Sequence, residues 1–174
     1  GNPNWEVLRS NPKAELPAEE QAFLDGPVNE LCEMIDEWQG SHKDYDLPQE
    51  VYEFVKDKGF FSFIIPKEYG GLEFSPLGLI YVMAKIGSRS GTLASMVGVP
   101  NSLGPAELLM HYGTDEQKKE LLPKLASGEH VPCFALTGPY AGSDATSMPD
   151  TGIVCKGEFE GEETIGIKLN FSKR

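Results

Sequence analysis

The periodicity of the chain changes once, near residue 130, and that change most limits what it can fold into. Up to Gly128, apolar residues recur at three- and four-residue spacing, with Pro, Ser or Thr at the starts and Gly at the stops. Beyond it, two β-prone runs, Ile153 to Phe159 and Thr164 to Phe171, flank Glu160-Gly161-Glu162-Glu163. They read as a hairpin with a four-residue loop. The order predicts a mainly α chain with an extended arm at 1–16, a helical domain at 17–130 and the start of a β domain at 131–174. A strand pair needs neighbours for stability, so this reading expects the rest of the β domain beyond Arg174.

Within the arm, Trp5, Val7 and Leu8 are expected to dock on the body. Pro17 suits a first helical turn, and Pro27 restarts the helix, with Val28, Leu31, Ile35 and Trp38 as one stripe. A second helix begins near Leu47-Pro48, carries Val51, Phe54 and Val55, and stops at Gly59. The apolar run Phe60 to Ile65 ends in a turn over Pro66 to Gly71. A third helix runs from Ser75-Pro76 to Ile86. The segment Gly91 to Tyr112 is rich in small residues, which leave room either for close helix packing or for a ligand. Thr114-Asp115-Glu116-Gln117 is a capping box, and Pro123 is expected to break the helix it starts.

Composition excludes several function classes. A net charge of −12 repels nucleic acid and anionic lipid at long range. No run approaches the ~20 apolar residues of a membrane span. The three cysteines lack any CxxC pair, and the three histidines lack metal-ligand spacing. A reducing, cytoplasmic setting without a bound metal is expected, with peripheral association at an inner membrane left open.

Cys133 to Ala145 reads C-F-A-L-T-G-P-Y-A-G-S-D-A. A buried strand is expected to end at Thr137, followed by a tight loop with Gly138, Gly142, Ser143 and Asp144. Backbone amides approach a ligand closely where Gly carries no side chain. Such a loop either joins two domains or presents hydroxyls and amides to a planar heterocycle.

That stretch resembles the LTEP-x-AGSD signature of acyl-CoA dehydrogenases. Other segments are similar to the family's motifs in the same order: Pro66 to Gly71 (P-x-x-Y-G-G), Asn101-Ser102-Leu103-Gly104 (NSLG), Gly113 to Lys118 (G-T-x-E-Q-K) and Leu122-Pro123 to Gly128-Glu129. The stretches F-A-L-T-x-P-x-A-G-S-D-A, P-D-T-G-I-V-C-K-G and P-N-S-L-G-P look closest to the bacterial long-chain branch of fatty-acid β-oxidation.

The resemblance implies a helical bundle followed by the first strands of a middle β-barrel domain. It implies FAD as cofactor, contacted by Phe134, Leu136, Thr137, Gly142 and Ser143. It further implies that Ser143 reaches CoA and that Met96, Val99, Pro100 and Leu103 line the acyl chain. The implied activity is oxidation of fatty acyl-CoA to trans-2-enoyl-CoA, with an electron-transfer protein as acceptor and a homo-oligomeric enzyme. In the family the base is a Glu of a later bundle, so no catalytic residue is assigned here and the 174 residues alone are expected to be inactive. Glu68, Glu107, Glu120 and Glu129 read as solvated residues. Gly138 stands where many members have Glu. An acyl-CoA oxidase and a non-catalytic helical binding module are the alternatives.

Overall fold

Prolines and glycines set the helix boundaries in the computed structural model, which describes residues 3–10, 15–102 and 104–173. The helices are α1 (Trp5–Ser10), α2 (Ala18–Asp25), α3 (Pro27–Met34), α4 (Glu37–Gln39), α5 (Gln49–Asp57), α6 (Pro76–Arg89), α7 (Gly91–Gly98), α8 (Pro105–Tyr112) and α9 (Asp115–Ala126). They precede one antiparallel pair, β1 (Thr151–Phe159) and β2 (Glu162–Asn170). The chain is mainly helical with a two-stranded sheet at its end. It divides into two compact units, one ending at Cys133 and one beginning at Phe134.

The first unit closes around α3, α5, α6 and α7. Val28, Leu31, Val51, Val55, Val82, Ile86, Leu93 and Val97 are buried together with Phe60, Phe61 and Phe63. Phe23, Phe60, Phe63 and Phe74 pack with ring centroids 5.0 to 5.7 Å apart. These are the tilted, edge-on and offset arrangements favoured by the ring quadrupole. A smaller cluster of Ile65, Ala106, Leu122, Leu125 and Ala126 seats α9.

Two polar devices hold this unit in register. Glu20, buried in α2, accepts the Ser75 N–H at 2.6 Å and the Ser75 hydroxyl at 2.7 Å. Its carboxylate thereby sits at the N-terminus of α6, where the helix dipole favours negative charge. Gly78 makes the room, because a Cβ there would lie 2.2 Å from Glu20 Oε2. The other device is the Pro66 to Gly71 turn. Gly70 takes φ 85°, and a Cβ on Gly71 would stand 1.9 Å from the Ile65 carbonyl oxygen.

Several expectations are corrected. Residues 5–10 are helical rather than extended, with Trp5 and Val7 exposed rather than docked; the Leu8 side chain lies outside the described residues. The α3 stripe stops at Ile35, and Trp38 is exposed, its ring 4.2 Å from that of His42. Helix α9 runs through Pro123 unbroken. Its capping box is formed, and Leu122, Leu125 and Ala126 anchor it on both sides of the proline, so packing offsets the one missing backbone bond.

In the second unit, β1 and β2 pair from Thr151↔Asn170 to Phe159↔Glu162. The loop is therefore two residues, Glu160-Gly161, not four. Their φ angles of 53° and 84° are the pair of left-handed conformations that match strand twist in a tight hairpin. Val154, Ile165, Ile167 and Leu169 share one face, Ile153 and Phe159 lie on the other, and all six are exposed.

Candidate functional site

The buried strand expected to end at Thr137 does not form, and none of residues 131–137 is buried. Phe134 is 56% exposed and Leu136 46%. The backbone of this segment finds no strand partner among the described residues, so nothing fixes it in a ladder. It leads into a loop, residues 137–147, that is braced at both ends.

At its front, the Lys173 ammonium donates to the Leu136 carbonyl oxygen at 3.1 Å, to Met148 Sδ at 3.2 Å and to the Asp150 carboxylate. In the middle, the Gly138 N–H donates to the Ala141 carbonyl at 2.9 Å, closing a turn over the buried Ala141. At its back, the Asp144 carboxylate accepts the Thr146 N–H at 3.2 Å, the Thr146 hydroxyl at 2.6 Å and the Ser147 hydroxyl. The Ser147 hydroxyl, and after it that of Thr146, holds the Asp144 carboxyl below its ordinary pKa. Asp144 is solvent-exposed, so this is a local brace and not a buried charge.

Between the braces stand the expected cofactor contacts. Thr137, Gly142 and Ser143 are exposed together with Phe134 and Leu136. A Cβ built on Gly142 meets nothing within 4 Å. The Thr137 N–H has no protein acceptor among the described residues, whereas that of Gly138 is engaged within the turn. The loop thus presents two hydroxyls, an available amide and two apolar side chains. That donor set suits a planar heterocycle with carbonyl oxygens on one edge. A depression of about 440 Å³ opens beside it, lined by Ala135, Thr146, Met148, Leu169, Phe171 and Lys173 among others, but Thr137, Gly142 and Ser143 do not line it.

The residues expected along an acyl chain lie in the first unit. Met96 and Val99 are half-buried and Pro100 is buried; Leu103 lies outside the described residues. Met96 packs in part against the main core. The small residues are used at least partly for packing, since a Cβ on Gly98 would come within 3.1 Å of Met83 Cε. The stretch Gly91 to Tyr112 is two helices rather than one segment, separated by a turn around Pro100. Asn101 fastens that turn. Its Oδ1 accepts the Phe63 N–H at 2.8 Å, and its Nδ2 donates to the Phe60 and Val97 carbonyls at 2.6 and 2.8 Å.

Residues 18–129 match the family model described as the acyl-CoA dehydrogenase N-terminal domain. The chain belongs to the acyl-CoA dehydrogenase family. It is 38% identical over 129 residues to a 3-(aryl)acrylate reductase of Clostridium sporogenes, covering 74% of this chain and 32% of that protein. It is 31% identical over 133 residues to an acyl-CoA dehydrogenase of Bacillus subtilis, covering 76% and 32%. The fold matches an acyl-CoA dehydrogenase complexed with FAD from Bacillus anthracis, with a TM-score of 0.67 and 23% identity over 79% of this chain and 24% of that one. The chain thus spans about a third of the length of these two curated relatives.

Three side chains make long-range contacts that carried no sequence signal. Asn101 bonds to residues 38 and 41 positions away. Lys173 bonds to Asp150 and Leu136, 23 and 37 positions away. Glu20 reaches Ser75, 55 positions away. Among the described residues no helix is long and apolar enough to cross a membrane, and no cluster of His, Cys, Asp or Glu could hold a metal ion.

Proposed function

We propose that this chain is the N-terminal part of an FAD-dependent acyl-CoA dehydrogenase that oxidises fatty acyl-CoA to trans-2-enoyl-CoA. The observation that carries the reading is the exposed row of donors at Thr137, Gly142 and Ser143, braced at both ends, in a chain of this family. On this reading residues 17–130 are the helical domain and residues from 131 open the β domain. Bound FAD would supply the hydride acceptor for oxidation of the CH–CH bond.

The chain's own residues bind and orient. The Thr137 hydroxyl and N–H face the polar edge of the flavin, Ser143 reaches flavin and CoA, and Gly142 lets the backbone come close. Phe134 and Leu136 cover apolar flavin surface, while Met96, Val99, Pro100 and Leu103 line the acyl chain. The base that removes the α-proton comes from polypeptide beyond residue 174, and no Glu of this chain takes that role. An electron-transfer protein accepts the electrons, in a cytoplasmic homo-oligomer.

The test is purification of the full-length polypeptide. It is expected to be yellow, or to become so with FAD, and to bleach with a series of acyl-CoAs. Thr137→Val removes the hydroxyl at constant shape and should raise the FAD Kd about tenfold, the equivalent of about 1.4 kcal/mol. Protein that stays colourless and cannot be reconstituted refutes the reading.

A further inference from the structure

A lysine ammonium is strongly hydrated and rarely withdrawn from water unless its partners replace that hydration. The Lys173 side chain is only 15% exposed. An ammonium carries three N–H donors and no acceptor, and here it meets three acceptors: the Leu136 carbonyl oxygen, Met148 Sδ and the Asp150 carboxylate. Three directions fix the ammonium in rotation as well as position. Two of its partners come from the segment leading into β1, and the third is the backbone at the front of the loop.

The choice of backbone carbonyl matters. Leu136 C=O and Thr137 N–H belong to one planar trans peptide, so they point in opposite directions. Pinning the carbonyl toward Lys173 turns the Thr137 N–H away from it. The next amide, that of Gly138, is already committed to Ala141. A cation on the carbonyl also polarises the peptide and strengthens the N–H as a donor.

We propose that Lys173, held by Asp150, is the positioning residue that aims the Thr137 N–H at the polar edge of the flavin. The proposal rests on the FAD reading above and adds to it a residue that touches no ligand. It separates two roles in the segment: Thr137 meets the flavin, and Lys173, 36 positions later, sets the direction from which it does so.

The experiment uses the full-length polypeptide and its Lys173→Met, Lys173→Arg and Asp150→Asn variants. Three quantities are read: the FAD Kd by titration of apoprotein, the absorption band of the bound flavin, and the melting temperature. Lys173→Met should raise the Kd about tenfold and move the flavin band, because the hydrogen bonding at the ring edge changes. Lys173→Arg, which keeps a cation able to bond both carbonyl and carboxylate, should return the band to its wild-type position and the Kd to within about threefold. Asp150→Asn should raise the Kd by a smaller factor, about threefold. A residue that only stabilised the fold would lower the melting temperature and leave the band where it was.

A Lys173→Met protein that binds FAD within twofold of wild type with an unmoved band overturns the proposal. If that variant does not fold, Asp150→Asn decides, and an unchanged Kd and band there overturn it equally. Wild-type protein that binds no FAD would instead sink the functional reading itself.

Discussion

Asn101→Ala is the sharpest test of how the helical unit is built. The Asn101 side chain is 5% exposed and makes three hydrogen bonds, at 2.6, 2.8 and 2.8 Å, to backbone groups of Phe60, Phe63 and Val97. Truncation leaves one N–H and two carbonyls facing a space the size of the lost amide. A buried polar group left unsatisfied costs about 1–3 kcal/mol. Some of that is recovered if water enters, so the expected loss is about 3–5 kcal/mol. That is well above the ~1 kcal/mol of a typical substitution and a large part of a native stability of about 5–15 kcal/mol. The neighbouring Ser102 supplies the control: it is exposed, among the described residues its hydroxyl bonds only to the Val99 carbonyl at 3.0 Å, and Ser102→Ala should cost about 0.5 kcal/mol. Urea unfolding followed by far-UV circular dichroism reads both, because the signal comes from the helices. An Asn101→Ala loss under about 1 kcal/mol would mean that these backbone groups are already satisfied without the amide, and the account of the turn would be wrong.

Three further outcomes are expected on the same grounds. Gly71→Ala should cost about 3 kcal/mol in urea unfolding, since its Cβ meets the Ile65 backbone, while Gly91→Ala, with open space around it at the start of α7, should gain about 0.5–1 kcal/mol. Thr114→Ala removes a formed capping box and should lower stability by about 1 kcal/mol in the same assay. Because Asp144 is held below its ordinary pKa in the folded loop, it stabilises the loop above the usual aspartate value of about 3.9, and that contribution disappears as pH falls through its own lower value. A carboxyl titration by NMR should place its midpoint below that of an ordinary Asp, and a midpoint at or above it would refute the brace.

Much of the fold was legible because its signals are local. Pro17, Pro27 and Ser75-Pro76 begin helices, Thr114 and Gln117 form the box their spacing predicts, and Gly59 follows a helix end with φ 77°. The misreadings share one cause: a local rule was overruled by something distant or conformational. Pro123 stays helical because Leu122 and Leu125 pack against Ile65 and Ala106. Trp38 leaves its stripe because the chain turns extended at Ile35. The hairpin loop shortens because Glu160 takes a left-handed conformation that few non-glycine residues adopt. In the site, the loop was visible as Gly142-Ser143-Asp144, but the bonds of Lys173 to Leu136 and of Asn101 to Phe60 and Phe63 join residues no motif connects.

The hairpin also sets how this polypeptide behaves while it is being made. The helical unit emerges first and can seal its interior with its own residues. β1 and β2 come later, greasy on both surfaces, with outer backbone edges that no described residue pairs. Bare strand edges template the addition of any other strand, including one from a neighbouring molecule. Until something covers those edges, the hairpin is a segment through which one copy can clump with another.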